Sequence, residues 1–146
     1  MPTIQCESEV KKKKVEGLLK NFIDNCSYEA GLDFYGLQAL AFKSMLECGE
    51  ILVKFVRTKD PKNPLKLQLL ESDFIDPFRE GYLGNGGYVS QGVEFGPDSG
   101  TPVAYYMYRN HPGGFLFNSI SGESLRIPSS DIVHCFLKTH LPASNS

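Results

Sequence analysis

Four residues near the carboxyl end have side chains that could do chemistry: Asp131, His134, Cys135 and His140. A cysteine beside a histidine suggests a nucleophile and its base, and the same residue types could hold a metal ion. The spacing is poor for both. On a strand, residues 134 and 135 point to opposite faces, so they cannot form a nucleophile–base pair with each other. Zinc sites bring two pairs of ligands together, and only one loose pair is available here.

A glycine-rich stretch, Gly81-Tyr-Leu-Gly-Asn-Gly-Gly87, superficially suggests a phosphate-binding loop. It lacks the lysine and hydroxyl residue of a Walker loop, and neither a strand before it nor a helix after it is predicted. The carboxylates Glu71, Asp73 and Asp76 could face one another, but Ser-Asp and Asp-Pro are also common turn formers. These residues predict a non-enzymatic domain with no catalytic residue, no cofactor and no metal site.

His111 lies between a tyrosine-rich run and a Pro-Gly-Gly sequence. The following proline favours an extended conformation for His111, and the two glycines permit a sharp reversal of the chain. We interpret His111 as part of a turn and not as a catalyst.

Two helices are predicted in the first third of the chain. Apolar residues recur at helical spacing over residues 10–26. A second helix should begin near Asp33, whose carboxylate suits an N-cap, and end at Gly49. Apolar residues occur on several sides of this second helix, which predicts a central, buried position. They are Phe34, Leu37, Leu40, Ala41, Phe42, Met45, Leu46 and Cys48.

Strands are predicted after the helices. Their expected ranges are 50–57, 65–70, 88–95, 102–108, 124–128 and 132–137. The first two should form an antiparallel pair, and Asn85-Gly86 is a strong signal for a tight turn. Helices followed by paired strands are typical of an α+β domain, with two N-terminal helices packed on a mainly antiparallel β-sheet. We expect one domain over residues 1–146, with residues 1–12 and 141–146 disordered.

Composition excludes several classes of protein. Hydrophobic residues make up 41% of the 146 residues, as in an ordinary globular domain. Fifteen Lys and Arg against 17 Asp and Glu give no basic excess for binding phosphates, which argues against a tight DNA binder.

Four positive charges at residues 11–14 oppose the dipole of the first helix and should fray its first turn. The four cysteines have no metal or redox spacing and are interpreted as reduced, which indicates an intracellular protein. No signal peptide or membrane span is predicted.

Six short segments occur in a characteristic order along the chain. They are Gly31 to Glu50, which ends in Gly-Glu, then Leu67-Gln-Leu-Leu-Glu-Ser-Asp73, Gln91-Gly-Val-Glu-Phe95, Gly100-Thr-Pro-Val-Ala-Tyr-Tyr106, His111-Pro-Gly113 and Arg126-Ile-Pro-Ser-Ser-Asp-Ile-Val-His-Cys-Phe136. No single segment is specific, but their order over residues 22–140 resembles the lambda-type phage portal protein family. The family has an aspartate where this chain has Gly96, and Asp98 is our candidate replacement.

The resemblance implies a wing-like α+β fold and a structural role without enzymatic activity. Family members form a ring-shaped oligomer at one capsid vertex, through which DNA is packaged and later ejected. The implied partners are other portal subunits, the capsid protein and the terminase, while DNA passes without sequence-specific binding. The implied location is the virion or, for a prophage gene, the host cytoplasm. Because family members continue well beyond the equivalent of residue 142, we interpret the chain as the amino-terminal wing region of a longer protein.

Four aromatic residues are expected to form exposed subunit contacts: Tyr82, Tyr88, Phe115 and Phe117. Two alternatives stay open. One is a small hydrolase that uses Cys135 or His134, and the other is a free-standing interaction module.

Overall fold

Two helices and eight strands make up the described part of the protein. The computed structural model describes residues 5, 8–29, 31–98, 100–112 and 123–136. Within these ranges the elements are α1 (Glu9–Asn25), α2 (Phe34–Cys48), β1 (Glu50–Arg57), β2 (Leu65–Leu70), β3 (Gly81–Tyr82), β4 (Tyr88–Ser90), β5 (Val93–Phe95), β6 (Pro102–Tyr108), β7 (Ser124–Pro128) and β8 (Ile132–Phe136). The predicted α+β class is confirmed.

The ends of α2 follow from two residues. The Asp33 carboxylate accepts a hydrogen bond of 2.7 Å from the backbone N–H of Gly36, which satisfies a donor of the first turn. At the other end Gly49 has a φ of 85° and donates its backbone N–H to the Met45 carbonyl. Both caps agree with the sequence prediction. Helix α1 begins at Glu9, so residues 9–12 are helical despite the positive charges there.

The described strands form two antiparallel sheets. The first has the order β2-β1-β8, and the second has the order β3-β4-β5-β6-β7. The single strand predicted over residues 88–95 was wrong, because Gln91 and Gly92 form a two-residue turn between β4 and β5. Their φ values are 47° and 78°, the combination that a tight hairpin of this length requires.

Two clusters of buried side chains join three layers. Leu52, Leu70 and Ile132 of the first sheet pack against Tyr105 and Met107 of the second. On the opposite face of the first sheet, the helices contribute a second cluster around Cys26, Leu37 and Leu67. The first sheet therefore lies between the helices and the second sheet.

The expected central position of α2 was wrong. Leu37 is its buried residue, whereas Phe42 and Leu46 are 62% and 63% exposed. The helix covers one face of a three-stranded sheet, so one stripe of α2 meets that sheet while the other apolar side chains face outward.

An ion pair between a buried glutamate and a half-exposed arginine fixes the second sheet. Arg126 on β7 reaches across β6 and donates two hydrogen bonds of 2.7 Å to the Glu94 carboxylate on β5. Tyr106 on β6 donates a third from its hydroxyl, at 3.1 Å. The bonds from Arg126 lower the pKa of Glu94 below its ordinary value of 4.5, while burial opposes that shift. One carboxylate thus connects three neighbouring strands.

Gly92 is the tightest point of the second sheet. Its carbonyl accepts from the Tyr106 N–H at 2.8 Å, and its N–H donates to the Arg79 carbonyl at 2.9 Å. A Cβ atom at this position would lie 2.5 Å from the Asp76 carbonyl oxygen. The chain therefore needs a glycine here for both its φ and its packing.

We expect Gly92→Ala to lower the free energy of unfolding by about 3 kcal/mol, because a left-handed conformation and a backbone overlap are combined. Urea denaturation of the 146-residue chain measures this. Gly17→Ala is the control, since nothing lies within 4 Å of its added Cβ in α1. That change should stabilise by up to about 1 kcal/mol. Equal stabilities of the two variants would contradict the packing described for Gly92.

We expect Arg126→Met to destabilise the chain by about 2 kcal/mol at pH 7, since Glu94 stays buried without its main donor while Arg126 itself is half-exposed. The pKa of Glu94 is lowered in the folded state, so its contribution is present above pH 4.5 and is lost as pH falls through the lowered pKa. The difference between wild type and variant should therefore shrink below pH 4.5.

Denaturation at a series of pH values measures this difference. Arg57→Met is the control, because Arg57 is largely exposed and its 3.7 Å pair with Asp131 should contribute less than about 0.5 kcal/mol. If Arg126→Met lowers the free energy of unfolding as much at pH 3 as at pH 7, the ionised carboxylate of Glu94 is not the cause of the destabilisation.

Candidate subunit-contact surface

A row of aromatic side chains crosses one end of the second sheet. Tyr82 on β3 is directly opposite Tyr88 on β4, and Tyr88 is directly opposite Phe95 on β5. The rings of Tyr88 and Phe95 are stacked, with centroids 5.1 Å apart and planes 21° apart. Directly opposite residues share a face, so we call these three residues the aromatic row.

Two of the three residues in the aromatic row are exposed to solvent, and Phe95 is partly buried. Tyr82 is 94% exposed and Tyr88 is 40% exposed. By strand alternation, the row shares its face with Val93 and Tyr105, which pack into the core between the sheets. That face is therefore covered at β6 and uncovered toward β3, the edge strand of this sheet as described.

Two of the four expected contact residues thus lie side by side. Tyr82 and Tyr88 are cross-strand neighbours, while Phe115 and Phe117 lie outside the described residues. Phe95 was not singled out from the sequence. Its place in the row depends on the hairpin turn at Gln91-Gly92, which the sequence analysis did not predict.

A second apolar surface lies on the outer face of α2. Tyr35, Phe42 and Leu46 are separated by seven and four residues, which places them on one side of the helix. All three are half-exposed or more. We call these three residues the helix stripe. It is on the side of α2 away from Leu37, which packs toward the first sheet.

A polar cluster holds the loop beside β6. Asp76 accepts hydrogen bonds from the Tyr108 hydroxyl at 2.8 Å, the Ser124 hydroxyl at 2.6 Å and the Phe78 backbone N–H at 3.1 Å. Burial would raise the pKa of Asp76, but these hydrogen bonds outweigh it and the pKa is lowered. Burial and the same contact raise the pKa of Tyr108 to about 12. Because the carboxylate is ionised and already accepts three bonds, its contacts support a structural role.

The residues that suggested a hydrolase do not form its nucleophile–base pair. His134 is paired with Leu52 across the strands and Cys135 with Ile51, so the two side chains face opposite sides, as predicted. The Nε2 atom of His134 lies 2.8 Å from a carboxylate oxygen of Glu50. Asp131 instead lies near Arg57, and His140 is outside the described residues.

The glycine-rich stretch forms a turn. Residues 83–87 connect β3 and β4, and the Asn85 side chain in this turn accepts from the Gly87 N–H at 3.0 Å. This agrees with the predicted tight turn. Of the carboxylates considered together, Asp76 belongs to the polar cluster, whereas Glu71 and Asp73 lie near His111.

The described cysteines Cys26, Cys48 and Cys135 are free thiols, as expected. Burial raises the pKa of Cys26, which disfavours its reactive thiolate form. Among the described helices, none is both long and apolar enough to cross a membrane.

Comparison with known proteins places the chain in a family. The sequence model described as "Phage portal protein, lambda family" matches residues 4–141. A curated relative, "Probable portal protein" of Halomonas phage phiHAP-1 (isolate -/Gulf of Mexico/-/2001), is 29% identical over 126 residues. That alignment covers 86% of this chain but 23% of the relative, so the chain spans about a quarter of the relative's length. Because the family match extends over nearly the whole sequence, the chain belongs to the lambda family of phage portal proteins.

Proposed function

We propose that the chain is part of a phage or prophage portal subunit. The complete subunits would form a ring at one capsid vertex, through which DNA is packaged and ejected. The observation that carries this proposal is the family match over residues 4–141. The ring, its position at the vertex and its passage of DNA belong to the whole protein, of which this chain corresponds to a part.

The two exposed apolar surfaces support a head-to-tail ring. A two-fold dimer joins the same patch on both subunits, whereas a ring of more subunits joins two different patches. The helix stripe is on the helical layer, and the aromatic row is on the second sheet. We therefore propose that the aromatic row of one subunit contacts the helix stripe of the next. Phe115 and Phe117 stay proposed contact residues beside them.

The charge of the chain is compatible with DNA passage. Its formal net charge is −2, without the basic excess that gives tight binding to phosphates. DNA that must slide through a ring is retarded by strong phosphate contacts. The proposed partners are therefore other portal subunits, the capsid protein and the terminase, and the proposed location is the virion or the host cytoplasm.

We expect the product of the complete reading frame that contains this chain to form closed rings with a central channel. Negative-stain electron microscopy and sedimentation velocity measure this. The measurement uses the full-length protein because the contacts of the whole subunit close the ring. Monomers at all concentrations, or open filaments in place of rings, would contradict the proposed function.

We expect Tyr82→Ser in the full-length protein to raise the concentration needed for half-assembly by about tenfold or more, since a central aromatic contact contributes about 2 kcal/mol to an interface. The side chain is almost fully exposed, so the fold should be unaffected. Tyr28→Ser is the control, because Tyr28 is a half-exposed tyrosine that belongs to neither surface. If Tyr82→Ser and wild type assemble at the same concentration, the proposal that the aromatic row forms a subunit contact is wrong.

A further inference from the structure

Three side chains that come from separate parts of the sequence meet beside β6. Glu71 and Asp73 each direct a carboxylate oxygen, and His111 an imidazole nitrogen, to within 4.8 Å of one another. The His111 Nε2 atom is 3.4 Å from a carboxylate oxygen of Glu71. We call these residues the His–carboxylate cluster. Two of the segments that suggested the portal family, Leu67 to Asp73 and His111-Pro-Gly113, each contribute to it.

We propose that the His–carboxylate cluster binds a divalent transition-metal ion of the Zn²⁺ type. One imidazole nitrogen and two carboxylate oxygens are ligands that such ions accept, with water completing the coordination. In a tetrahedral site with bonds of about 2.1 Å, two ligand atoms lie about 3.4 Å apart. The separation of His111 and Glu71 fits that value. Because the cluster is partly exposed, ion and water have access to it.

Charge balance favours a cation at this position. Two carboxylates share one imidazole, so even a protonated His111 leaves the cluster with an excess of negative charge. Like charges this close repel each other, and a divalent cation between them would remove the repulsion. The pair of His134 and Glu50 differs, because there a single carboxylate faces a single imidazole.

The backbone holds two of the ligands in a defined turn. Glu71 precedes the 3₁₀ turn Ser72–Phe74, which contains Asp73. The Glu71 carbonyl accepts from the Phe74 N–H at 3.1 Å, and the Ser72 carbonyl accepts from the Ile75 N–H at 2.8 Å. The Phe74 ring lies edge-on to the His111 ring, with centroids 5.3 Å apart. Ligands positioned in this way lose less conformational freedom when an ion binds.

The ion would connect the two sheets. Glu71 directly follows β2 of the first sheet, whereas His111 lies three residues after β6 of the second. A metal bound to both would stabilise the contact between these layers. This inference concerns the isolated chain and does not depend on the proposed portal function.

Titration of the metal-free 146-residue chain with Co²⁺, a spectroscopic substitute for Zn²⁺, tests the proposal. We expect one equivalent of Co²⁺ to bind. Its visible absorption bands should be those of nitrogen and oxygen ligands, without the charge-transfer band of a thiolate, and Zn²⁺ should displace the bound Co²⁺. His111→Gln and Asp73→Asn should each lower the affinity by more than about tenfold. His134→Gln is the matched control and should leave the affinity unchanged.

A second measurement distinguishes loss of a ligand from loss of the fold. Circular dichroism should show that His111→Gln is folded, while Zn²⁺ at a hundredfold excess over its dissociation constant raises the Tm of wild type by about 9 °C and leaves that of the variant unchanged. The proposal is overturned if wild type binds no ion saturably, if a thiolate band accompanies binding, or if His111→Gln binds as tightly as wild type.

Discussion

The second sheet depends on the ion pair of Glu94 and Arg126. A buried carboxylate costs several kcal/mol in lost hydration, so Glu94 is stable inside the protein only with its donors in place. Those donors come from β6, which pairs with β5, and from β7 on the far side of β6, so the three strands must align in one register. A slip of one residue would turn Arg126 to the other face of the sheet and leave Glu94 without its partner. The pair thus sets the alignment of three strands.

This pair also explains three of the six ordered segments. Glu94 belongs to the Gly-Val-Glu segment, Tyr106 to the segment that ends in Tyr-Tyr, and Arg126 opens the segment Arg-Ile-Pro. These segments are distant in the sequence but contribute to one hydrogen-bonded group. Each segment alone indicates little chemistry, because its polar side chain forms hydrogen bonds with a side chain from another segment. Their order is informative because it reflects the order of strands that the pair requires.

The sequence predicts well the features that depend on neighbouring residues, and poorly those that depend on contacts between residues distant in the sequence. Asp33 and Gly49 mark the ends of α2 because capping involves only neighbouring residues. The turn at Gln91 and Gly92 was missed because glutamine rarely adopts a positive φ. In the structure, backbone hydrogen bonds of Gly92 with Arg79 and Tyr106 hold this turn, and both partners are distant in the sequence. The outer position of α2 was missed because apolar residues on several sides of a helix do not show which of those sides is covered by the rest of the domain. The His–carboxylate cluster joins residues 71 and 111, a proximity that only the packing of the sheets creates.

The Glu94 ion pair and the aromatic row lie on different faces of the second sheet. Glu94 and its donors Tyr106 and Arg126 lie on one face, whereas the aromatic row alternates to the other. The row therefore donates no hydrogen bond to the Glu94 carboxylate. At its end, Tyr82 is almost fully exposed, so its side chain contributes little to the packing of the domain. On the helical layer, likewise, Leu37 packs toward the first sheet while the helix stripe faces away from it. The aromatic row therefore takes no part in the hydrogen bonds of Glu94, and the helix stripe takes no part in the contact of Leu37 with the first sheet.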